Sequence, residues 1–314
     1  MRRSWTRWIG VGFALAVLLV MVGSPPAWAA SARKSASASL SAADAAVLGV
    51  VEGLTEYLPV SSTGHLVVTS RILDLPTKGD AGDAMKSYEL AIQFGAILAV
   101  LALYRRRVFA MAEGLVGRSE EGRKLVTVVA IAFVPAAIVG VGGDKVIKDV
   151  LFGAWPVVVA WIVFGAAVIG LSRAGKLSPV GGRGLDSITT RDAMIIGTAQ
   201  VLSLWPGTSR SLVTIVAALL LGVSMAAAVE FSFLLGFVTL SAATAYEMAS
   251  SGKTMIDNFG IGVPLLGLVV AFVAAFFSIR WMVTYLNRHD LAVFGWYRIG
   301  IALVVLGLIA SNAI

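Results

Sequence analysis

The chain has 314 residues, of which 58% are hydrophobic and 14% charged, whereas soluble domains run at about 45–50% apolar and about 25% charged. With a mean hydropathy of +0.88, this composition excludes an ordinary soluble domain and, with it, the fibrous, disordered and nucleic-acid-binding classes. The net charge of +7 reports loop orientation and lipid headgroups, as a basic excess does in membrane proteins, and names no nucleic-acid partner.

Residues 1–29 open with Arg2, Arg3 and Arg7, run apolar from Ile9 to Val22 and reach Ala27-Trp28-Ala29. A basic start, a short apolar stretch and a small-x-small site mark a secretory signal peptide; an uncleaved N-terminal anchor helix is the other reading. Residues 30–43, rich in Ser and Ala, are expected to form a flexible tether outside the fold.

Segment 44–73 is an apolar helical pattern broken by the polar turn Pro59 to His65, and three long apolar runs follow at 88–104, 125–143 and 151–172. Segment 192–222 is broken in the same way by Pro206 to Ser211, and runs at 226–248, 260–283 and 293–311 follow it. The six runs are long enough to span the hydrocarbon core, for which ~20 residues suffice. The two broken segments are not, because each half is too short to cross. Polar-centred breaks at membrane depth are tolerated only inside protein or along a cavity, so both segments are expected to be re-entrant hairpins.

The hairpins resemble each other. Gly49-Val50-Val51-Glu52-Gly53-Leu54 aligns with Gly197-Thr198-Ala199-Gln200-Val201-Leu202 at an offset of 148, and Pro59-Val60-Ser61-Ser62 with Pro206-Gly207-Thr208-Ser209 at 147. Each is followed by three spans, and an odd number of spans reverses the second copy. The expected fold is therefore an all-α polytopic membrane protein with an inverted-topology repeat, 44–190 and 191–314, each half a re-entrant hairpin plus three transmembrane helices. Basic residues agree with that layout: Arg105, Arg106, Arg107, Arg118, Arg123 and Lys124 follow the first span, Arg173, Lys176, Arg183 and Arg191 the third, and Arg280 and Arg288 the fifth. Those loops are expected to be cytoplasmic, the intervening loops with Lys145, Lys148 and Lys253 outside.

There is no cysteine and there are two histidines, His65 and His289, so disulfides, thiolate sites and multi-histidine metal centres are excluded. Chemistry falls to carboxylates, hydroxyls, arginine and one histidine. Glu52 and Glu56 are four apart, hence on one helix face, and intramembrane carboxylates are costly enough to need a purpose. They could bridge a hard divalent cation, Mg²⁺ or Ca²⁺, through oxygen, or one could act as a general base. The bland alternatives are solvation in a vestibule and an ion pair with Arg210. Ser61, Ser62, Thr63, Gly64 and His65 suit helix capping, the commonest use of such a string, which does not exclude an anion site on the same helix N-terminus. His65, three residues beyond Ser62, could reach its hydroxyl or a phosphate oxygen as base, acid or nucleophile. In the second hairpin Ser209, Arg210 and Ser211, with Thr214 one turn on, match bidentate recognition of phosphate; a salt bridge from Arg210 to Glu52 or Glu56 would place the two tips together. Glu230, Glu247 and Arg298 lack such neighbours and read as structural or interfacial.

The segments VEGLTEYLPVSSTGHL and PGTSRSLVT, with SYELAIQFGAILAV at 87–100, resemble the undecaprenyl pyrophosphate phosphatase family, which is also linked to bacitracin resistance, from about Asp44 to the C-terminus. The resemblance puts the family's acidic pair on Glu52 and Glu56, its Ser and His on Ser62 and His65, and its arginine segment on Pro206 to Ser211 with Thr214. It implies a multi-pass protein of the bacterial plasma (inner) membrane, its site facing outward, that removes the terminal phosphate of a polyprenyl pyrophosphate carrier and so recycles that lipid for cell-wall synthesis. On this reading Glu52 and Glu56 hold the divalent metal, and Arg210, Ser209, Ser211 and Thr214, with Ser61 and Thr63, bind phosphate oxygens. Either Ser62 attacks phosphorus with His65 as base, or His65 attacks while Ser62 positions. The lipid and the bilayer are the expected partners, and a homodimer is admitted. One departure is Leu212, where the family has Gly, so that a side chain could narrow the tip. Architecture alone also fits a secondary transporter or lipid flippase for an anionic polyprenyl-phosphate-type substrate; a membrane scaffold ranks last.

Overall fold

The computed structural model describes residues 40–76, 79–178, 181–312 and 314. The signal peptide or anchor expected at 1–29, and the tether up to residue 39, lie outside them. The last tether residues do not: Leu40 is buried, and Ser41 caps the first helix by accepting the Asp44 N–H at 3.1 Å. A serine before an apolar run is a strong N-cap, and it starts the helix two residues ahead of the expected boundary.

Eleven α-helices are found among the described residues: α1 (Ala42–Thr55), α2 (Ser62–Ile72), α3 (Gly79–Leu103), α4 (Arg105–Leu115), α5 (Glu120–Leu151), α6 (Ala154–Arg173), α7 (Thr190–Gln200), α8 (Arg210–Leu220), α9 (Met225–Phe259), α10 (Gly262–Leu286) and α11 (Ala292–Ala310). Six of them, α3, α5, α6, α9, α10 and α11, are long and apolar enough to cross a membrane, one for each expected span. Several outrun the apolar stretch that announced them. Thus α3 begins at Gly79, and α9 continues to Phe259, which places Lys253 in a helix and not in a loop. The basic loop after α3 also holds a helix, α4.

Helices α1 and α2 form one helix–break–helix pair, α7 and α8 the other. Their breaks share an unusual backbone: Ser61 has φ 73° and ψ 100°, Ser209 φ 77° and ψ 114°, and each serine caps the following 11-residue helix through the amide three residues on. A left-handed φ in a non-glycine residue is held only where its surroundings fix it. The caps equate Ser61 with Ser209, an offset of 148, one more than the proline match gave.

The first pair is seated by close backbone contact. A Cβ on Gly53 would lie 2.3 Å from the Ala271 carbonyl oxygen, and one on Gly49 2.5 Å from that of Gly267. Gly49 and Gly53 on α1 thus meet Gly267, Ala271 and Ala275 on α10 as two small-residue stripes, the usual way for membrane helices to approach. Glu52 and Glu56 hang from that anchored helix. The largest apolar cluster joins both breaks to α3, α5, α9 and α10, and it takes in Leu212, which is fully buried.

Candidate active site

The two breaks meet. The Gly207 N–H donates to the Ser61 hydroxyl at 3.1 Å, and the Ser211 hydroxyl donates to the Leu58 carbonyl at 3.0 Å. Arg298 of α11 ties them further: one nitrogen donates to the Pro59 carbonyl at 3.1 Å, the other to the Thr208 carbonyl at 2.8 Å and to that of Gly207. Arg298 is wholly buried. The structural role expected of it holds, but its neighbours are the two tips themselves.

At the junction Glu56, the cap residue of α1, collects three groups. Its Oε1 accepts from Arg210 at 3.3 Å, while its Oε2 accepts from the Ser62 hydroxyl and is approached by Gln93 Nε2 at 3.5 Å. Arg210 is fixed on its other side by the Ser232 carbonyl at 3.0 Å and lies over the Tyr57 ring at 5.3 Å. The Arg210–Glu56 pair is buried on both sides, and a buried pair loses about 3–5 kcal/mol when one partner is removed. The Thr214 hydroxyl stays on its own helix, donating to the Arg210 carbonyl at 2.9 Å and meeting the Ser232 hydroxyl at 2.8 Å. Ser209 and Ser211 lie 3.0 Å apart, and Thr63 is half-buried in the first turn of α2.

His65 does not meet Ser62. Its Nδ1–H donates to the Ser61 carbonyl at 2.6 Å, which leaves Nε2 as the acceptor for the Tyr297 hydroxyl at 2.8 Å. The ring is wholly buried, stacked on Tyr297 and tilted against Trp161. Tyr57, Gln93, Ser232 and Tyr297 were not singled out in the sequence, and neither was any role for Arg298 at the tips. An arginine inside an apolar span was the one signal available.

Several buried polar atoms at the junction have no hydrogen-bond partner: both carboxylate oxygens of Glu52, Nε of Arg210, the hydroxyl of Thr208 and Oε1 of Gln93. Buried groups are normally paired, and these atoms are the exceptions at the junction. Among the described residues no three His, Cys, Asp or Glu side chains converge as metal ligands. Glu230 and Glu247 lie apart from the junction, bonded to Arg107 at 2.8 Å and to Ser87 at 3.3 Å.

Comparison with known proteins gives one answer. An undecaprenyl-diphosphatase of Sorangium cellulosum is 44% identical over 267 residues, 84% of this chain and 85% of that protein. An undecaprenyl-diphosphatase 2 of Rhodospirillum rubrum is 42% identical over 86% of this chain and 96% of its own length, and an undecaprenyl-diphosphatase of Burkholderia mallei is 42% identical over 83% and 93%. The family described as bacitracin resistance protein BacA matches residues 45–304, which include both tips, the first five spans and most of the last, and to that family this chain belongs.

Proposed function

We propose that this protein is an integral membrane phosphatase that hydrolyses undecaprenyl, or a similar polyprenyl, pyrophosphate to the monophosphate and phosphate, recycling the carrier lipid for peptidoglycan synthesis. The observation that carries the chemistry is the joined pair of tips, where one carboxylate holds both a serine hydroxyl and a buried arginine beside unpaired polar atoms. The family carries the substrate. A transporter or flippase finds no support in these relatives.

The contacts favour Ser62 as the nucleophile and Glu56 as its base. Its Oγ attacks the terminal phosphorus, its proton passes to Glu56, and the bridging P–O bond breaks to release the lipid monophosphate; water then cleaves the phosphoserine. A direct attack by His65 would first require its Nε2 to leave Tyr297. His65 instead braces the α2 tip through the Ser61 carbonyl. Arg210, with Ser209, Ser211 and Thr214 around its helix start, orients phosphate oxygens and offsets the charge spread over the phosphoryl group in the transition state. A divalent cation at Glu52 and Glu56 would neutralise the pyrophosphate; the unpaired oxygens of Glu52 suit it.

The reading extends to the membrane. The twin serine caps and the three long helices after each pair support an inverted repeat of two re-entrant hairpins. Basic residues after α3, α6 and α10 support an outward-facing site in a bacterial inner membrane. The lipid tail stays among the spans throughout, and a second copy of the chain is the remaining candidate partner. The test is phosphate release from detergent-solubilised polyprenyl pyrophosphate, with and without EDTA, for wild type, Glu56→Gln and Arg210→Ala. EDTA-sensitive release lost in both variants is expected; no release from folded wild type with any divalent metal would overturn the assignment.

A further inference from the structure

Helix α1 presents Glu52 and Glu56 one turn apart, and α3 presents Glu89 and Gln93 at the same spacing. The two helices pack together, and the 3.5 Å approach of Gln93 Nε2 to Glu56 Oε2 shows that these rows face each other. An amide beside a carboxylate turns its N–H toward it, because the reverse would set oxygen against oxygen. Gln93 Oε1 is thereby committed to another direction, where it is buried and unpaired. Glu52 is 1% exposed and neither of its oxygens has a hydrogen-bond partner, with a second carboxylate, Glu56, one turn away at the end of the same helix. Glu89 is held separately by the Ser70 hydroxyl at 3.1 Å.

The junction between α1 and α3 therefore keeps three buried acceptor atoms unpaired, two carboxylate oxygens and one amide oxygen. Bare buried acceptors are costly, of order 1–3 kcal/mol each and more when charged, and a hard cation that prefers oxygen is the ligand that relieves them. We propose that Gln93 belongs to the divalent-cation seat, its amide N–H orienting Glu56 and its carbonyl oxygen standing with the Glu52 carboxylate as the neutral member of the donor set. The inference rests on the cation reading above and adds to it a ligand from α3. It also explains how a seat with few carboxylates reaches a workable number of oxygens, since an amide carbonyl supplies one without adding repulsion.

The test uses the purified full-length chain in detergent and Mn²⁺ as probe, with free Mn²⁺ read by EPR, with and without inorganic pyrophosphate. Wild type, Glu52→Gln, Gln93→Leu and Gln93→Glu are compared, each with a melting curve. The expected results are Mn²⁺ binding by wild type, a loss of about 10–100-fold in Gln93→Leu, and binding at least as tight as wild type in Gln93→Glu. A folded Gln93→Leu that binds as wild type does, while Glu52→Gln is weakened, overturns the role of Gln93 and leaves the cation reading standing. Wild type that takes no Mn²⁺, with or without pyrophosphate, overturns both. If Gln93→Leu does not fold, a folded Gln93→Glu with weakened Mn²⁺ binding overturns the inference.

Discussion

Arg298 donates to the Pro59 carbonyl at 3.1 Å across 239 positions of sequence, and the same guanidinium serves Gly207 and Thr208. One side chain thus satisfies acceptors on both tips. Arg298→Met strands those carbonyls in a buried site, at about 1–3 kcal/mol each. A lower melting temperature in detergent and a loss of phosphatase activity are expected together. Arg298→Lys should recover part of the melting temperature but less of the activity, because an ammonium lacks the planar fork that registers one tip against the other.

Ser62 and Glu56 are expected to act as a unit. Ser62→Ala and Glu56→Gln should each lower kcat by about 10²–10⁴-fold, the usual contribution of a positioned base, and the double variant should be little worse than either. Multiplicative losses in the double variant would separate the two residues and return the attack to His65.

Tyr297→Phe removes the hydroxyl that caps His65 Nε2 and keeps the stacked ring. A single hydrogen bond of this kind is worth about 0.5–1.5 kcal/mol, so phosphate release should fall by less than about tenfold. A loss as deep as that of Ser62→Ala would make the phenol a participant in the reaction.

Gly53→Val tests the seating of the acidic helix. Its Cβ would sit 2.3 Å from the Ala271 carbonyl oxygen, against backbone that cannot yield, so α1 must move off α10. Both the melting temperature and Mn²⁺ binding should drop, although residue 53 touches neither cation nor substrate. Unchanged binding in a folded Gly53→Val would show that the acidic pair does not depend on this contact.

The spans were legible because bilayer crossing demands long apolar helices, and each of the six runs became one. The tip residues were legible because charge and hydroxyls inside an apolar pattern stand out: Glu56, Ser62 and Arg210 converge as neighbours. Arg298 could be seen as anomalous but not placed, since its partners are backbone carbonyls of distant segments, which carry no side-chain signature. Gln93 and Tyr297 lie on ordinary spans and acquire meaning only through what α1 and α2 bring beside them. His65 was read toward Ser62 from its spacing of three residues, yet a closer acceptor, the Ser61 carbonyl, takes its Nδ1–H. Helix ends were the least legible part, because polar residues continue α3 and α9 past the apolar stretch.

That extra length in α9 has a mechanical consequence. Its 35 residues make a rod of about 52 Å at ~1.5 Å per residue, against a hydrocarbon thickness of about 30 Å. Its last turns carry the exposed Lys253–Asp257 pair at 2.8 Å on one side and the buried Met255 and Phe259 on the other. Beside them stands the polar start of α3, with its own exposed Lys86–Asp83 pair. The two helices pack along each other, so their charged ends stand together beyond the apolar stretches that cross the lipid.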